Sequence, residues 1–130
     1  MENLKILIIG DDPTNCTLLK TILEMQGYQT ASVHNIENED IISLLNNQKP
    51  DVLFLDFYLG ASETLKYITS IRTTPDWQRL PVLMTSAIDH DQECLVVGAT
   101  GFILKPFNWD EITNNVHEIC NQISNREEVD

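Results

Sequence analysis

The sequence is short of basic residues and of long apolar runs. Its 130 residues include 8 lysines and arginines against 20 aspartates and glutamates, a formal net charge of −12. We expect no direct binding of nucleic acid and no contact with an anionic membrane, because both carry negative charge themselves. No apolar run could span a bilayer, and the apolar part of the amino terminus is too short for a signal peptide. These absences favour a cytoplasmic protein.

Cysteine, proline and glycine are also few. Cys16, Cys94 and Cys120 are far apart and form no CxxC pair, which argues against a disulfide framework or a zinc site. Five prolines and five glycines, with 42% hydrophobic residues, indicate a folded chain rather than a disordered one. The length is typical of one domain with its own core.

Five short apolar runs recur along the chain at a spacing of roughly one strand plus one helix. All but the second are almost continuously apolar, as in parallel strands covered on both faces. The second is more polar and alternates, which predicts an edge strand. The runs cover residues 5–10, 29–34, 51–56, 81–86 and 100–105.

Helical patterns separate these runs. The spacing of apolar residues predicts helices over 14–26, 38–47, around 65–71, over 89–97 and behind Asn108. Asp12 is the expected N-cap of the first helix, and Asp89 and Gln92 have the spacing of a capping box. The alternation predicts an α/β protein with a flavodoxin-like (βα)5 fold, whose five-stranded parallel sheet has the strand order 2-1-3-4-5.

Polar side chains stand where the strands of this predicted sheet end. Asp11 and Asp12 follow the first strand and Asp56 ends the third, while Ser86 ends the fourth and Lys105 follows the fifth. Ligands bind at this edge of an open α/β sheet. Clustered carboxylates favour a hard cation such as Mg²⁺, beside which Asp56 could attack phosphorus as a nucleophile.

Four segments carry a resemblance to a known family: IIGDD (8–12), DVLFLD (51–56), PVLMTSA (81–87) and GATGFILKPF (98–107). In order and spacing they resemble the receiver (phosphoacceptor) domain of bacterial two-component response regulators. The resemblance implies a receiver domain over residues 1–124, with 125–130 as a polar tail or the start of a linker.

The resemblance also implies roles for individual residues. Asp56 would be the phosphorylated residue, and Lys105 would contact the phosphoryl group. Mg²⁺ would be held by Asp11, Asp12, Asp56 and the backbone carbonyl of Tyr58.

Two further residues are implied to switch state upon phosphorylation. Ser86 stands at the position of the family's switch hydroxyl, with Thr85 one residue early, and Phe102 at that of its switch aromatic. The bond from Lys105 to Pro106 is cis in the family. The chain departs from the family's D-x-x-L-P-x-x-x-G pattern after Asp56, with Gly60 in place of the proline and Thr64 in place of the glycine.

The partners implied are a sensor histidine kinase or a histidine phosphotransfer protein as phosphoryl donor. A downstream protein or a second copy of the chain would bind through the fourth helix, fifth strand and fifth helix. A receiver catalyses only its own phosphorylation and dephosphorylation. His34, His90 and His117 share no metal-ligand spacing and are expected to be ordinary surface or loop residues.

Two other functions are weighed against this one. A Mg²⁺-dependent phosphohydrolase with an aspartate nucleophile needs a second acid two residues after the first, where Tyr58 stands. A flavin or nucleotide carrier would need hydroxyls or glycines after the first strand to receive phosphate, and the sequence DDPTN offers acids instead.

Overall fold

The computed structural model describes residues 4–36 and 40–129, with side chains as far as residue 124. The strands in this part of the chain are β1 (Lys5–Ile9), β2 (Gln29–Val33), β3 (Val52–Asp56), β4 (Tyr58–Leu59), β5 (Ser62–Glu63), β6 (Val82–Ser86) and β7 (Gly101–Leu104). The helices are α1 (Pro13–Met25), α2 (Ile41–Gln48), α3 (Leu65–Arg72), α4 (Asp91–Val96) and α5 (Trp109–Val129).

Five of the strands form one parallel sheet in the order β2-β1-β3-β6-β7. This confirms the predicted α/β fold and its strand order, since β4 and β5 lie outside the sheet. The more polar β2 is an edge strand, as its alternating sequence predicts. The apolar β1, β3 and β6 occupy the centre, where both faces of each strand are covered.

Each face of the sheet buries its own cluster of apolar side chains. On one face α1 and α5 pack against β1 and β3, with the stripe Ile112, Val116, Ile119 and Cys120 of α5 turned inward. On the other face α2, α3 and α4 contribute Leu44, Leu45, Ile68, Ile71 and Cys94. The two layers of helices hold the sheet rigidly and leave the carboxyl ends of its strands free to form a site.

The caps of α1 and α5 agree with the sequence, and the cap of α4 does not. Asp12 accepts hydrogen bonds from the first amides of α1, and Asn108 does the same for α5. The capping box predicted from Asp89 and Gln92 is wrong. Asp89 accepts a hydrogen bond from the amide of Asp91, two residues on, and this turn delays the helix so that His90 precedes it.

Two predicted boundaries also differ from the observed ones. The predicted start of the second helix, at residue 38, lies outside the described residues, and the described helix begins at Ile41 behind Asp40. At the other end α5 continues to Val129, through most of the predicted tail 125–130, and Asp130 lies outside the described residues. In the described part of the chain, no helix has the length and apolar character needed to cross a bilayer.

A short hairpin after β3 has no counterpart in the sequence prediction. Tyr58 pairs with Glu63 and Leu59 with Ser62, so that Gly60 and Ala61 form a two-residue turn. Gly60 has a φ of 62°, a left-handed value that glycine adopts readily at the first position of such turns. The hairpin lies beside the carboxyl end of β1, where it borders the candidate site.

Candidate functional site

The carboxyl ends of β1, β3 and β6 border a cavity of about 330 Å³ together with the segment after β7. All five residues that the sequence places at these ends line the cavity: Asp11, Asp12, Asp56, Ser86 and Lys105. Tyr58 and Thr85 line it as well. Parallel topology alone explains this convergence, because every strand of the sheet ends at the same edge.

Asp56 is bonded to two neighbours at the floor of this cavity. Its Oδ1 lies 3.2 Å from Nζ of Lys105, and both side chains are mostly buried, at 14% and 17% exposure. The hydroxyl of Thr85 donates a hydrogen bond to the same oxygen. Thr85 is opposite Asp56 in the register of β3 and β6, which brings its hydroxyl into reach. The peptide bond from Lys105 to Pro106 is cis, as the resemblance implies.

The protonation equilibrium of Asp56 reflects these contacts. Burial raises the pKa of its carboxyl above the ordinary value, and the hydrogen bond from Thr85 and the charge of Lys105 oppose the rise without cancelling it. The ionised carboxylate is therefore a charge that the fold disfavours in the absence of a further cation.

The other carboxylate oxygen of Asp56 lies against Gly10. A Cβ at Gly10 would be 2.7 Å from Oδ2 of Asp56, closer than real Cβ contacts allow. The glycine that precedes the acidic pair is therefore needed for the position of Asp56. The adjacent Cys16 thiol lies 3.5 Å from the Gly10 carbonyl, and burial raises its pKa, which keeps the thiol protonated.

Asp11 and Asp12 are held by separate partners. Oδ2 of Asp11 accepts a hydrogen bond of 2.6 Å from the amide of Gly60 in the hairpin. Oδ1 of Asp12 caps α1 through the amide of Thr14, at 2.9 Å, and its Oδ2 accepts from the side-chain amide of Asn15, at 3.1 Å.

The chemistry of these donors fits Mg²⁺, because three carboxylates on one cavity are hard oxygen ligands beside room for a phosphoryl group. In the orientations observed, no group of three or more His, Cys, Asp or Glu side chains among the described residues is placed to share one cation. The carboxylates would have to change orientation to bind one cation together.

The implied switch residues lie on neighbouring strands, Ser86 at the carboxyl end of β6 and Phe102 within β7. Ser86 is buried, and its Oγ accepts a hydrogen bond of 3.1 Å from the amide of Ile88. Phe102 lies opposite Met84 in the register of β6 and β7 and is half-buried against the core. In this structure the hydroxyl that contacts Asp56 is thus that of Thr85, and Ser86 is turned to its own backbone.

In the segment after Asp56, the two residues that depart from the family pattern form hydrogen bonds with residues of the site. Thr64 is fully buried, and its hydroxyl donates to the carbonyl of Asp56 at 2.7 Å. The Gly60 amide, which a proline would lack, donates to Asp11. The two departures therefore give this loop contacts that the usual pattern does not supply.

His90 and Thr85 are contacts of the site that sequence reasoning missed. His90 lies in a loop, as expected, yet its side chain is only 12% exposed. Its Nε2 is 3.4 Å from the hydroxyl of Tyr58, and its Nδ1 is 3.0 Å from Oε1 of Glu93. Nothing in the spacing of the histidines signals this, because the Tyr58 partner comes from a distant segment. No signal in the sequence identifies Thr85, because the register that sets it opposite Asp56 was not predicted.

Comparison with known proteins is consistent with this geometry. The family described as response regulator receiver domain matches residues 6–117. Among curated proteins, the phosphate regulon transcriptional regulatory protein PhoB of Rhizobium meliloti (strain 1021) is 28% identical over 115 residues, which cover 86% of this chain and 50% of that protein. The chain therefore spans about half the length of the curated relative that it matches.

Solved structures give the same result. A putative response regulator from Chloroflexus aurantiacus superposes with a TM-score of 0.81 and 26% identity, covering 91% of this chain and 98% of that one. A two-component response regulator from Clostridium difficile superposes with a TM-score of 0.80 and 27% identity, covering 93% and 98% of the two chains.

Proposed function

We propose that this chain, which belongs to the response regulator receiver domain family, is a phosphorylation-dependent signalling switch that accepts a phosphoryl group on Asp56. The observation that carries the proposal is the position of Asp56. It ends β3 on the floor of a cavity, with Lys105 at 3.2 Å and the acidic pair Asp11 and Asp12 on the same cavity. A carboxylate nucleophile, a fixed cation and a set of metal ligands are what phosphoryl transfer to an aspartate requires.

Asp11, Asp12, Asp56 and the backbone carbonyl of Tyr58 would hold Mg²⁺. When bound, Mg²⁺ supplies positive charge that offsets the negative charge of the phosphoryl oxygens. This also accounts for two adjacent acids at the end of a buried strand, an arrangement that costs repulsion in the free protein.

The phosphoryl donor is a phosphohistidine on a sensor histidine kinase or on a histidine phosphotransfer protein. An oxygen of Asp56 forms a bond to phosphorus while the bond from phosphorus to the donor imidazole nitrogen breaks, and the electron pair leaves with the imidazole. Lys105 neutralises part of the phosphoryl charge in a site that excludes much of the solvent. The chain catalyses only this step and the later hydrolysis of its own acyl phosphate.

The signal leaves through an apolar surface on α4, β7 and α5. Of eight large hydrophobic residues exposed in the described part of the chain, five belong to this region; we call them the output face: Ile88, Leu95, Val96, Leu104 and Trp109. Exposed apolar patches typically mark protein interaction sites, and we infer that these residues form one. Its occupant is a downstream protein or a second copy of the chain. With a net charge of −12 the domain itself does not bind nucleic acid.

The phosphohydrolase alternative has no support in the site. Tyr58 occupies the position where such an enzyme needs its second acid, and the Tyr58 hydroxyl is directed to His90 at 3.4 Å. A phenol with this partner does not replace a carboxylic acid as proton donor to a leaving group.

Intact-mass spectrometry after incubation with acetyl phosphate and Mg²⁺ tests the proposal. The wild-type chain should gain one phosphoryl group, and Asp56→Asn should gain none. Asp76→Asn removes one negative charge from an exposed loop that does not line the cavity and should be labelled like the wild type. Equal labelling of wild type and Asp56→Asn would refute the assignment of Asp56.

A further inference from the structure

Each carboxylate of the proposed metal site already has a hydrogen-bond donor of its own. Asp12 serves as the cap of α1, Asp11 is bonded to the Gly60 amide at 2.6 Å, and Asp56 is bonded to the Thr85 hydroxyl. The acids border one cavity, and among the described residues no three of them are placed to share a cation.

Two of the donors are features of this particular sequence. Gly60 stands where the family pattern has proline, and proline has no amide hydrogen to give to Asp11. Thr85 is not among the residues to which the resemblance assigns a role, and its hydroxyl is supplied by the strand register opposite Asp56.

We propose that the Thr85 hydroxyl and the Gly60 amide compete with Mg²⁺ for Asp56 and Asp11, and thereby lower the affinity of this receiver for the metal. The inference rests on the proposed function, since it concerns the same metal site. It assigns Thr85 and Gly60 as positioning residues that hold the carboxylates turned apart until the cation displaces them.

Thr85 is suited to this role because it cannot move away with ease. Its side chain is 2% exposed, within the central strand β6, so the hydroxyl stays where the strand holds it. The oxygen of Asp56 that Thr85 does not contact, Oδ2, lies against Gly10. A cation that draws on Oδ1 of Asp56 would weaken the bond from Thr85, and a hydrogen bond to a carboxylate in a mostly buried site is among the stronger kinds.

The hairpin provides the second competing hydrogen bond, from the Gly60 amide to Asp11. Gly60 turns with a φ of 62°, which aims its amide at Asp11 across 49 residues of sequence. Release of Asp11 would leave that amide without its carboxylate acceptor. The hairpin and the metal site are thus linked, because metal binding at Asp11 would change the hydrogen bonding of the Gly60 amide.

Calorimetric titration of the intact domain with MgCl2 tests the competition at Thr85. Thr85→Val keeps the shape of the side chain and removes the hydroxyl, and it should bind Mg²⁺ about tenfold more tightly than the wild type. Thr85→Ser keeps the hydroxyl and should bind like the wild type. All three proteins are titrated at the same pH, because protons compete with a metal ion for carboxylate ligands. Equal or weaker binding by Thr85→Val, with its thermal unfolding still cooperative, would overturn the role of Thr85.

Amide NMR tests the competition at Gly60. Mg²⁺ should move the Gly60 amide proton of the wild type upfield, toward its position in metal-free Asp11→Ala, where the acceptor is missing. A Gly60 resonance that stays at its metal-free position at saturating Mg²⁺ would overturn the role of Gly60.

Different results would refute the competition for Mg²⁺ and the proposed function. If the wild type binds Mg²⁺ and is phosphorylated on Asp56 while Thr85→Val has unchanged affinity, the competition is wrong and the proposed function stands. If the wild type neither binds Mg²⁺ nor accepts phosphate, both are wrong.

Discussion

The imidazole ring of His90 stacks on the phenyl ring of Phe57, with ring centroids 3.8 Å apart and planes inclined by 5°. Phe57 is fully buried and follows Asp56 directly, and His90 directly precedes α4. Through Glu93 the same imidazole is tied to the first turn of the helix. The stack therefore joins the residue next to the proposed phosphorylation site to the helix that begins the output face.

We expect His90→Ala to destabilise the domain by about 1–2 kcal/mol, because the variant uncovers Phe57 and removes an aromatic contact. The free energy of unfolding in urea is the measurement. His117→Ala replaces an exposed histidine on α5 and should change stability by less than about 0.5 kcal/mol. Equal stabilities for the two variants would mean that the stack contributes nothing to folding.

The raised pKa of Asp56 predicts a pH dependence of metal-free stability. At pH values between the unfolded pKa and the raised native pKa, the carboxyl binds more protons in the native state than in the unfolded state. Its contribution to stability therefore falls as pH rises from about 4 through the native pKa, and is constant above it. The stability of Asp56→Asn relative to wild type should increase over this range. Urea denaturation in EDTA across that range measures the difference.

The control for this experiment is Asp76→Asn, which removes an equal charge from an exposed loop. An Asp56→Asn curve that changes no more with pH than the Asp76→Asn curve would show that the buried carboxylate is not disfavoured by the fold.

The two roles of Asp12, as the cap of α1 and as a proposed metal ligand, should be separable by substitution. Asn is as good an N-cap as Asp, so Asp12→Asn should keep the bond to the Thr14 amide, and it loses a repulsive charge. We expect metal-free stability at or above that of wild type, together with a loss of Mg²⁺ binding. Asp12→Ala loses the cap as well and should be destabilised by about 1 kcal/mol. Thermal unfolding with and without Mg²⁺ distinguishes the two, and a metal-free Asp12→Asn well below wild type would contradict the separation.

The fold could be predicted because its elements are set by local pattern. Buried parallel strands require continuous apolar runs, and the segments that became β1, β3 and β6 had them. The convergence of Asp11, Asp56 and Lys105 followed from topology alone, since parallel strands end at one edge.

The parts that could not be predicted depend on contacts between distant segments. The hairpin β4–β5 pairs only four residues, too few for a pattern, and its turn is held by Asp11. The choice between the neighbouring hydroxyls Thr85 and Ser86 depends on which of them the register of β6 sets opposite Asp56. The environment of His90 depends on Phe57, which is 33 residues away in sequence.

We expect Ser86→Ala to accept a phosphoryl group and fail to transmit it. The phosphoryl oxygens would offer Ser86 a new acceptor in exchange for its bond from the Ile88 amide, and that movement would vacate space for Phe102. Without the hydroxyl the exchange has no driving force. NMR spectra of wild type and variant with the phosphoryl mimic beryllofluoride measure the effect. Shifts that reach α4 and Phe102 equally in both proteins would exclude Ser86 from the route.

The role of the output face in association can be tested by placing one charge at Val96, its most exposed residue. Val96 is 83% exposed on α4, and Met25 is 67% exposed on α1, on the other side of the sheet. If phosphorylation strengthens association through the output face, Val96→Glu should abolish the gain because a carboxylate would have to be buried in the interface. Met25→Glu adds the same charge and should leave the gain intact.

Sedimentation velocity with and without beryllofluoride measures association between copies of the chain, and titration with a downstream protein measures the other occupant. Beryllofluoride can shift either association equilibrium only by its differential affinity for the free and associated states of the chain. A tenfold gain in association therefore requires a coupling free energy of about 1.4 kcal/mol. Phe102→Ala should reduce this coupling without blocking phosphorylation, since the ring is half-buried beside β6 and is not a lining residue of the phosphorylation cavity. If Val96→Glu and Met25→Glu lost the gain to the same extent, the contact would lie elsewhere on the domain. A loss confined to Val96→Glu would locate it on α4, at the end of the connection that runs from Asp56 through Phe57 and His90.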